Sequence, residues 1–213
     1  MRTKLPTSAQ PGDDVVVTLH GALATAGVFR PLKRVIEAQE RVWVASLTLN
    51  PALAIEDAAI RLGDLVAELP PGVNCHLIGH SLGGIIVRWY VQQVLPAGPE
   101  APTVVQTFSL GAPFGGASVA KWIPLRQGRD LVAQSALLSE LARGADRSAI
   151  PHCSFVGEDD RTGKGDGLSD IGDRIVVPDC GHNGLLFHPL VGSEVVSRIL
   201  QSRQGDAAPS EPC

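Results

Sequence analysis

The chain has 213 residues, 44% apolar and 19% charged, with a formal net charge of −4. That length suits one domain with a sizeable core, and the mild acidity gives no argument for binding nucleic acid or an anionic membrane surface. No run approaches the roughly 20 apolar residues of a membrane span, so stable membrane insertion is not expected. The basic start, Met1-Arg2-Thr3-Lys4, is not followed by the apolar core of a secretory signal, which points to the cytoplasm. Cys75, Cys153, Cys180 and Cys213 show neither Cys-x-x-Cys nor metal-ligand spacing and are expected to be reduced thiols, with no metal site among them.

Residues 1–14 are polar and contain prolines, and read as an extended lead-in. Val15 to Leu19 is a β-branched run that predicts a buried strand. It ends in His20-Gly21-Ala22-Leu23, and a helix is expected from about Gly27 to Gln39, with Val28, Leu32, Val35 and Ile36 at helical spacing. Arg41 to Leu49 reads as a second strand. Ile55 to Leu69 reads as a second helix, closed by Pro70-Pro71-Gly72. Val73 to Ile78 predicts a third strand and Ile85 to Val91 a third helix. After a loop at 96–102, Thr103 to Leu110 predicts a fourth strand, which runs into Gly111-Ala112-Pro113-Phe114-Gly115-Gly116. Residues 117–150 read as helical with a break near Pro124 to Gly128. Cys153 to Val156 and Arg174 to Val177 read as further strands, Pro189 to Leu200 as the last helix, and the stretch after it as a disordered tail. Strands alternating with helices predict an α/β fold: about six mostly parallel strands covered on both faces. The domain is expected to span 15–202, with a small cap region at about 114–149 and a tail at 203–213. In such sheets functional loops lie at the carboxyl ends of the strands, and every motif below follows a strand.

The strand at Val73 to Ile78 leads into Gly79-His80-Ser81-Leu82-Gly83-Gly84, and an apolar helical run begins at once. Strand, Gly-x-Ser-x-Gly and helix together describe a nucleophile elbow. The sharp turn holds the serine in a strained backbone conformation, and the positions two before and two after it have no room for side chains.

With this context the chain resembles the α/β-hydrolase family, and within it the small bacterial lipases and esterases. The resemblance rests on the His20-Gly21 turn, the elbow at 79–84, the segment 110–116, and Gly181-His182-Asn183-Gly184-Leu185-Leu186-Phe187. It runs from Val15 to Leu200 and implies a minimal version of the fold, since only about 14 residues precede the first strand.

A serine hydroxyl needs a base within hydrogen-bond reach, and this fold orders its triad serine, acid, histidine. His182 and His188 are the histidines that follow plausible acids. His182 lies where a loop at a strand's carboxyl end is expected, whereas His188 precedes Pro189 and reads as a helix-start residue. His20 is expected to stabilise the turn after the first strand, as in the family. His80 is expected to point away from the site, and His76 and His152 to be ordinary strand residues. Asp160, in the Gly-x-x-Asp placement after Phe155-Val156, is the favoured acid. Asp166 in Asp166-Gly167-Leu168, then Asp159 and Glu158, remain alternatives. The backbone N–H of Leu82 and, by the resemblance, that of Ala22 are expected to form an oxyanion hole, with Leu23 the neighbouring option. Trp122, Ile123, Leu125, Leu131, Leu137, Leu138 and Leu141 could line an acyl pocket or form the core face of a crossover helix.

The expected activity is hydrolysis of small-molecule carboxylic esters of apolar acyl groups through Ser81, His182 and Asp160, without metal or cofactor. A thioesterase or acyltransferase using the same triad is the alternative, with a non-catalytic binding protein of this fold behind it.

Overall fold

The computed structural model describes residues 5–50, 52–98, 103–117, 126–145, 148–162 and 171–205. Asp166, Trp122, Ile123, Leu125 and the tail from 206 onward lie outside them.

Among the described residues six strands form one parallel sheet: β1 Asp14–Leu19, β2 Val42–Leu47, β3 Asn74–His80, β4 Val104–Leu110, β5 His152–Gly157 and β6 Asp173–Val177, in the order β2-β1-β3-β4-β5-β6. The helices are α1 Arg30–Ile36, α2 Ile55–Ala67, α3 Leu82–Trp89, α4 Arg126–Asp130, α5 Ala136–Arg143 and α6 Pro189–Gly205. Side chains of successive strand residues go to opposite faces. Val15, Val17 and Leu19 therefore join the core under α2, α3 and α5, while Val16 joins the core under α1 and α6. The register lines up the strand ends. Leu19 stands beside Gly79, His80 beside Leu110, Leu110 beside Phe155 and Gly157 beside Val177. The loops that begin at His20, Ser81, Gly111, Glu158 and Pro178 thus emerge along one edge.

Four expectations about the elements need correction. The helix expected over 27–39 is a 3-10 turn, Ala26–Phe29, followed by the short α1. Among the described residues the region 117–150 is not helical throughout, and α4 begins inside the stretch read as a break. Residues 201–205 are helical, not a disordered tail. Gln and Arg are good helix formers, and Arg203 is tied down: its guanidinium bonds the Asp14 carboxylate and the carbonyls of Glu40 and Arg41. The lead-in from Leu5 onward is likewise turned and packed rather than extended, with Ala9 buried and Gly12 N–H bonded to the Gly72 carbonyl at 2.7 Å.

Asp14 is fully buried, and its other oxygen accepts from His76 Nε2 at 2.9 Å, while His76 Nδ1 faces Gln106 Nε2 at 3.2 Å. His76 is therefore the centre of a buried polar network, not an ordinary strand residue. Burial works against ionisation of Asp14, but the bonds from His76 and Arg203 outweigh it and hold the carboxyl below its usual range. A carboxyl depressed on folding adds stability above its unfolded pKa, near 4, and that stability is lost as pH falls below it. Arg203→Ala, which leaves a buried carboxylate one donor short, is expected to cost about 1–3 kcal/mol in urea unfolding at pH 7. The difference from the parent should shrink as the pH of the measurement falls below about 4.

Candidate functional site

The turn after β3 is tightly closed. Ser81 has φ 54° and ψ −122°, its N–H bonds the Leu110 carbonyl at 2.9 Å, and α3 starts at the next residue. A Cβ at Gly79 would stand 2.3 Å from the Gly83 backbone, and one at Gly83 would stand 2.2 Å from the Leu19 carbonyl oxygen. The elbow therefore closes only because these positions lack side chains.

The loop after β1 folds over the serine. A Cβ on Gly21 would stand 2.9 Å from Ser81 Cβ. His20 Nε2 accepts the Leu49 N–H at 3.2 Å, so Nδ1 carries the proton and donates to the Gly21 carbonyl at 2.7 Å. His20 thus clamps this loop, and Leu23 beyond it adopts φ 56° with its side chain 78% exposed. Among the described residues no acceptor is bonded to the backbone N–H of Ala22 or Leu82, and Leu82 opens α3, where N–H groups are unsatisfied by the helix itself.

After β5 the chain turns through an Asp160 N–H to Gly157 carbonyl bond of 3.0 Å. This inverts the acidic run residue by residue. Glu158 accepts from the Asp179 N–H, Asp159 is exposed, and Asp160 is buried, with its side chain only 4% exposed. One Asp160 oxygen accepts the Thr162 N–H at 2.9 Å, and the other stands 2.7 Å from His182 Nδ1. Burial alone would raise this carboxyl, but the bonds from His182 and Thr162 outweigh it and hold it below its usual range. An ionised carboxylate only accepts, so Nδ1 is the donor and Nε2 is left as the free ring nitrogen. The pair rests on Gly111, φ 63°, where a Cβ would stand 2.9 Å from both Asp160 Oδ2 and His182 Nδ1. Because Gly111 directly follows Leu110, whose carbonyl holds Ser81 N–H, one strand end braces serine, histidine and acid together. Among the described residues no hydrogen bond joins the Ser81 hydroxyl to His182. In unliganded pairs of this kind the contact is often long and closes on substrate.

His80 is placed differently from the expectation. Its ring does not point away but packs on His182, centroids 4.8 Å apart, and its Nε2 bonds the His182 carbonyl at 3.3 Å. Burial, then the neighbouring His182 ring, push its pKa down to about 4, so it remains a neutral donor at pH 7. The signal was present in the sequence as a polar ring next to the serine; its direction was not. His188 bonds the Leu190 N–H at the start of α6. Leu131, Leu137, Leu138 and Leu141 are buried core residues packed with α3. Among the described residues no group of three or more His, Cys, Asp or Glu side chains could hold a metal, and no helix is long and apolar enough to cross a membrane.

No protein-family model matches the chain, and no curated protein sequence does. Solved structures do. The mature form of the Bacillus licheniformis lipase BlEst2 is 13% identical, over 94% of this chain and 96% of that one, with a TM-score of 0.68. The Paleococcus ferrophilus monoacylglycerol lipase is 14% identical, over 97% and 100%, at 0.65. Aspergillus fumigatus lipase B is 14% identical at 0.73, over 91% of this chain and 55% of that one. This chain has the α/β-hydrolase fold.

Gly111→Ala tests the bracing. The backbone cost of φ 63° for an alanine is about 1–2 kcal/mol, and the new methyl displaces the pair. We expect a lower thermal midpoint and loss of the downfield Nδ1 proton resonance of His182.

Proposed function

We propose that this protein is a serine hydrolase that cleaves carboxylic esters of apolar acyl groups. The observation that carries the reading is the buried Asp160 carboxylate held 2.7 Å from His182 Nδ1, on the strand edge from which the strained Ser81 emerges. His182 Nε2 takes the Ser81 proton as the hydroxyl attacks the ester carbonyl. Asp160 fixes the ring and stabilises the imidazolium that forms. The Leu82 and Ala22 N–H groups receive the oxyanion, each such donor contributing about 100- to 1000-fold in rate. His182 returns the proton to the leaving alcohol, leaving an acyl-enzyme that a water activated by the same ring releases as the acid. No step calls for a metal or cofactor.

Apolar residues next to the oxyanion loop support the acyl class. Leu23, Leu49, Leu82 and Ile86 line a shallow cleft of about 20 Å3, and the exposed Phe187 follows the His182 turn. With only a short cap region at about 114–149, short to medium acyl chains are the favoured substrates. Hydrolysis of dissolved short-chain esters should therefore exceed that of emulsified long-chain triglycerides; sharp activation at an oil–water interface would contradict this.

A fluorophosphonate probe is expected to label the peptide containing Ser81, and Ser81→Ala to abolish the labelling. Labelling that persists unchanged sinks the assignment. With an unchanged melt, Asp160→Asn should lower turnover about 10,000-fold, the scale seen in a related triad, or roughly 5 kcal/mol of barrier. Asp166→Asn should stay within about tenfold of the parent. A panel of ester, thioester and amide substrates separates the hydrolase reading from a thioesterase.

A further inference from the structure

A second cavity, of about 550 Å3, lies between α3, α5 and the amino-terminal ends of β5 and β6. It is not the site above. Arg88, on its wall, is seven residues along α3 from Ser81, about 10 Å at 1.5 Å per residue. Thr107, bonded to Arg88, lies four residues upstream of Gly111, about 13 Å along β4.

Arg88 is 1% exposed. Its guanidinium has five N–H donors, yet its hydrogen bonding amounts to one long contact, Nη1 to Thr107 Oγ1 at 3.5 Å, and Nε has no partner. No carboxylate pairs with it among the described residues. Asp173 also borders the cavity, but its carboxylate is committed to Arg198 Nη1 at 2.9 Å. His152, beside Arg88, spends both ring nitrogens within the sheet: Nδ1 on Thr107 Oγ1 at 2.7 Å and Nε2 on Ser109 Oγ at 3.1 Å. An unpaired buried cation is costly, and an isolated one on a cavity wall is completed by an anion from outside. The remaining walls combine the apolar Phe114, Leu138, Leu141 and Ile171 with the polar Ser148, and hold no second cation among the described residues. One guanidinium with an apolar patch beside it in an otherwise polar wall matches a monocarboxylate carrying a hydrocarbon tail better than a phosphate, which calls for more donors.

The geometry points to a binding site for an amphiphilic monocarboxylate in this cavity, with Arg88 as its counter-ion. The site is independent of the hydrolase reading: it requires neither Ser81 nor His182. A medium-chain acid is also the product class of the proposed reaction, so such a site would let product bind without entering the elbow.

Octanoate is the probe, with melting temperature, backbone amide shifts and titration calorimetry as readouts on the full chain. Wild-type protein and Ser81→Ala should both bind it, with shifts centred on α5 and the start of β5. Arg88→Met should weaken binding by at least about tenfold, as expected for loss of a charge-assisted hydrogen bond. Since replacing an unpaired buried charge by an apolar group costs little or even stabilises, this variant should melt no lower than its parent without ligand. Ala142→Trp, at an exposed position on the cavity wall, should block octanoate while leaving the fold intact, and covers the case in which Arg88→Met fails to fold. Octanol should give no Arg88-dependent shift. Unchanged octanoate affinity in Arg88→Met or in Ala142→Trp overturns the proposal. So does the absence of binding to wild-type protein at millimolar octanoate, or inorganic phosphate competing as well as octanoate. Octanoate binding that is lost in Ser81→Ala but kept in Arg88→Met would place the acid at the elbow and overturn the cavity assignment, whatever the probe labelling of Ser81 shows.

Discussion

The contact between the backbone of β1 and the first turn of α3 sets the rest of the molecule. A Cβ on Gly83 would sit 2.2 Å from the Leu19 carbonyl oxygen, closer than any side chain can be placed. Helix and strand therefore meet backbone to backbone, and no sliding of α3 along the sheet can relieve the turn at Ser81. The positive φ of that serine is maintained by neighbours that cannot move, which is how a strained conformation persists. Fixing α3 in this way also fixes Arg88 at its far end. The same rigid helix serves the elbow at one end and the cavity at the other.

The interior of this sheet is more polar than its apolar strand sequences suggest. Asp14, His76 and Gln106 form one chain across β1, β3 and β4. His152, Ser109 and Ser154 form another across β4 and β5, ending on the Ile171 carbonyl at 2.8 Å. In a parallel sheet covered on both faces, each such group must find its partner within the sheet layer or lose the free energy of a buried unmade bond. Both chains close. The burial that accompanies the second keeps His152 well below its usual pKa, with Arg88 adding to the effect, so the ring stays neutral and satisfied. On α3 and the turn that follows it, by contrast, Arg88 Nε, Tyr90 Oη and the Gln92 amide are buried without a partner, and Arg88 has only the long contact to Thr107 and no carboxylate among the described residues.

The sheet, its strands and the elbow were legible because they depend on local signals. The β-branched run at 15–19, the Val, Thr and Phe of 104–110, and glycines two before and two after Ser81 need no distant partner to be read. The orientation of His80 was not legible. A residue one position from a strained serine could face either side, and only the position of the His182 turn, 102 residues away, decides which. The helical end of α6 was hidden for the same reason: its anchor is Asp14, 189 residues earlier. Asp160 stands between these cases. Its spacing after β5 singled it out from Glu158 and Asp159, but what turns it inward is the Gly157 carbonyl bond together with the position of Thr162 N–H.

This contrast also bears on why fold similarity here outruns sequence similarity. The neighbours share 13–14% identity at TM-scores of 0.65 to 0.73. The requirement at the elbow is geometric, since any chain that brings a strand carbonyl against a helix's first turn needs glycine there whatever packs around it. Core positions need only the right volume and polarity, so they can drift while the backbone path is kept. The polar chains across the sheet are less free to drift one residue at a time, because changing one member leaves its partner unsatisfied. A pair such as Asp14 and His76 is therefore expected to be kept or replaced as a unit. Arg88, whose tie to another side chain among the described residues is the long contact to Thr107, is bound by this constraint far less.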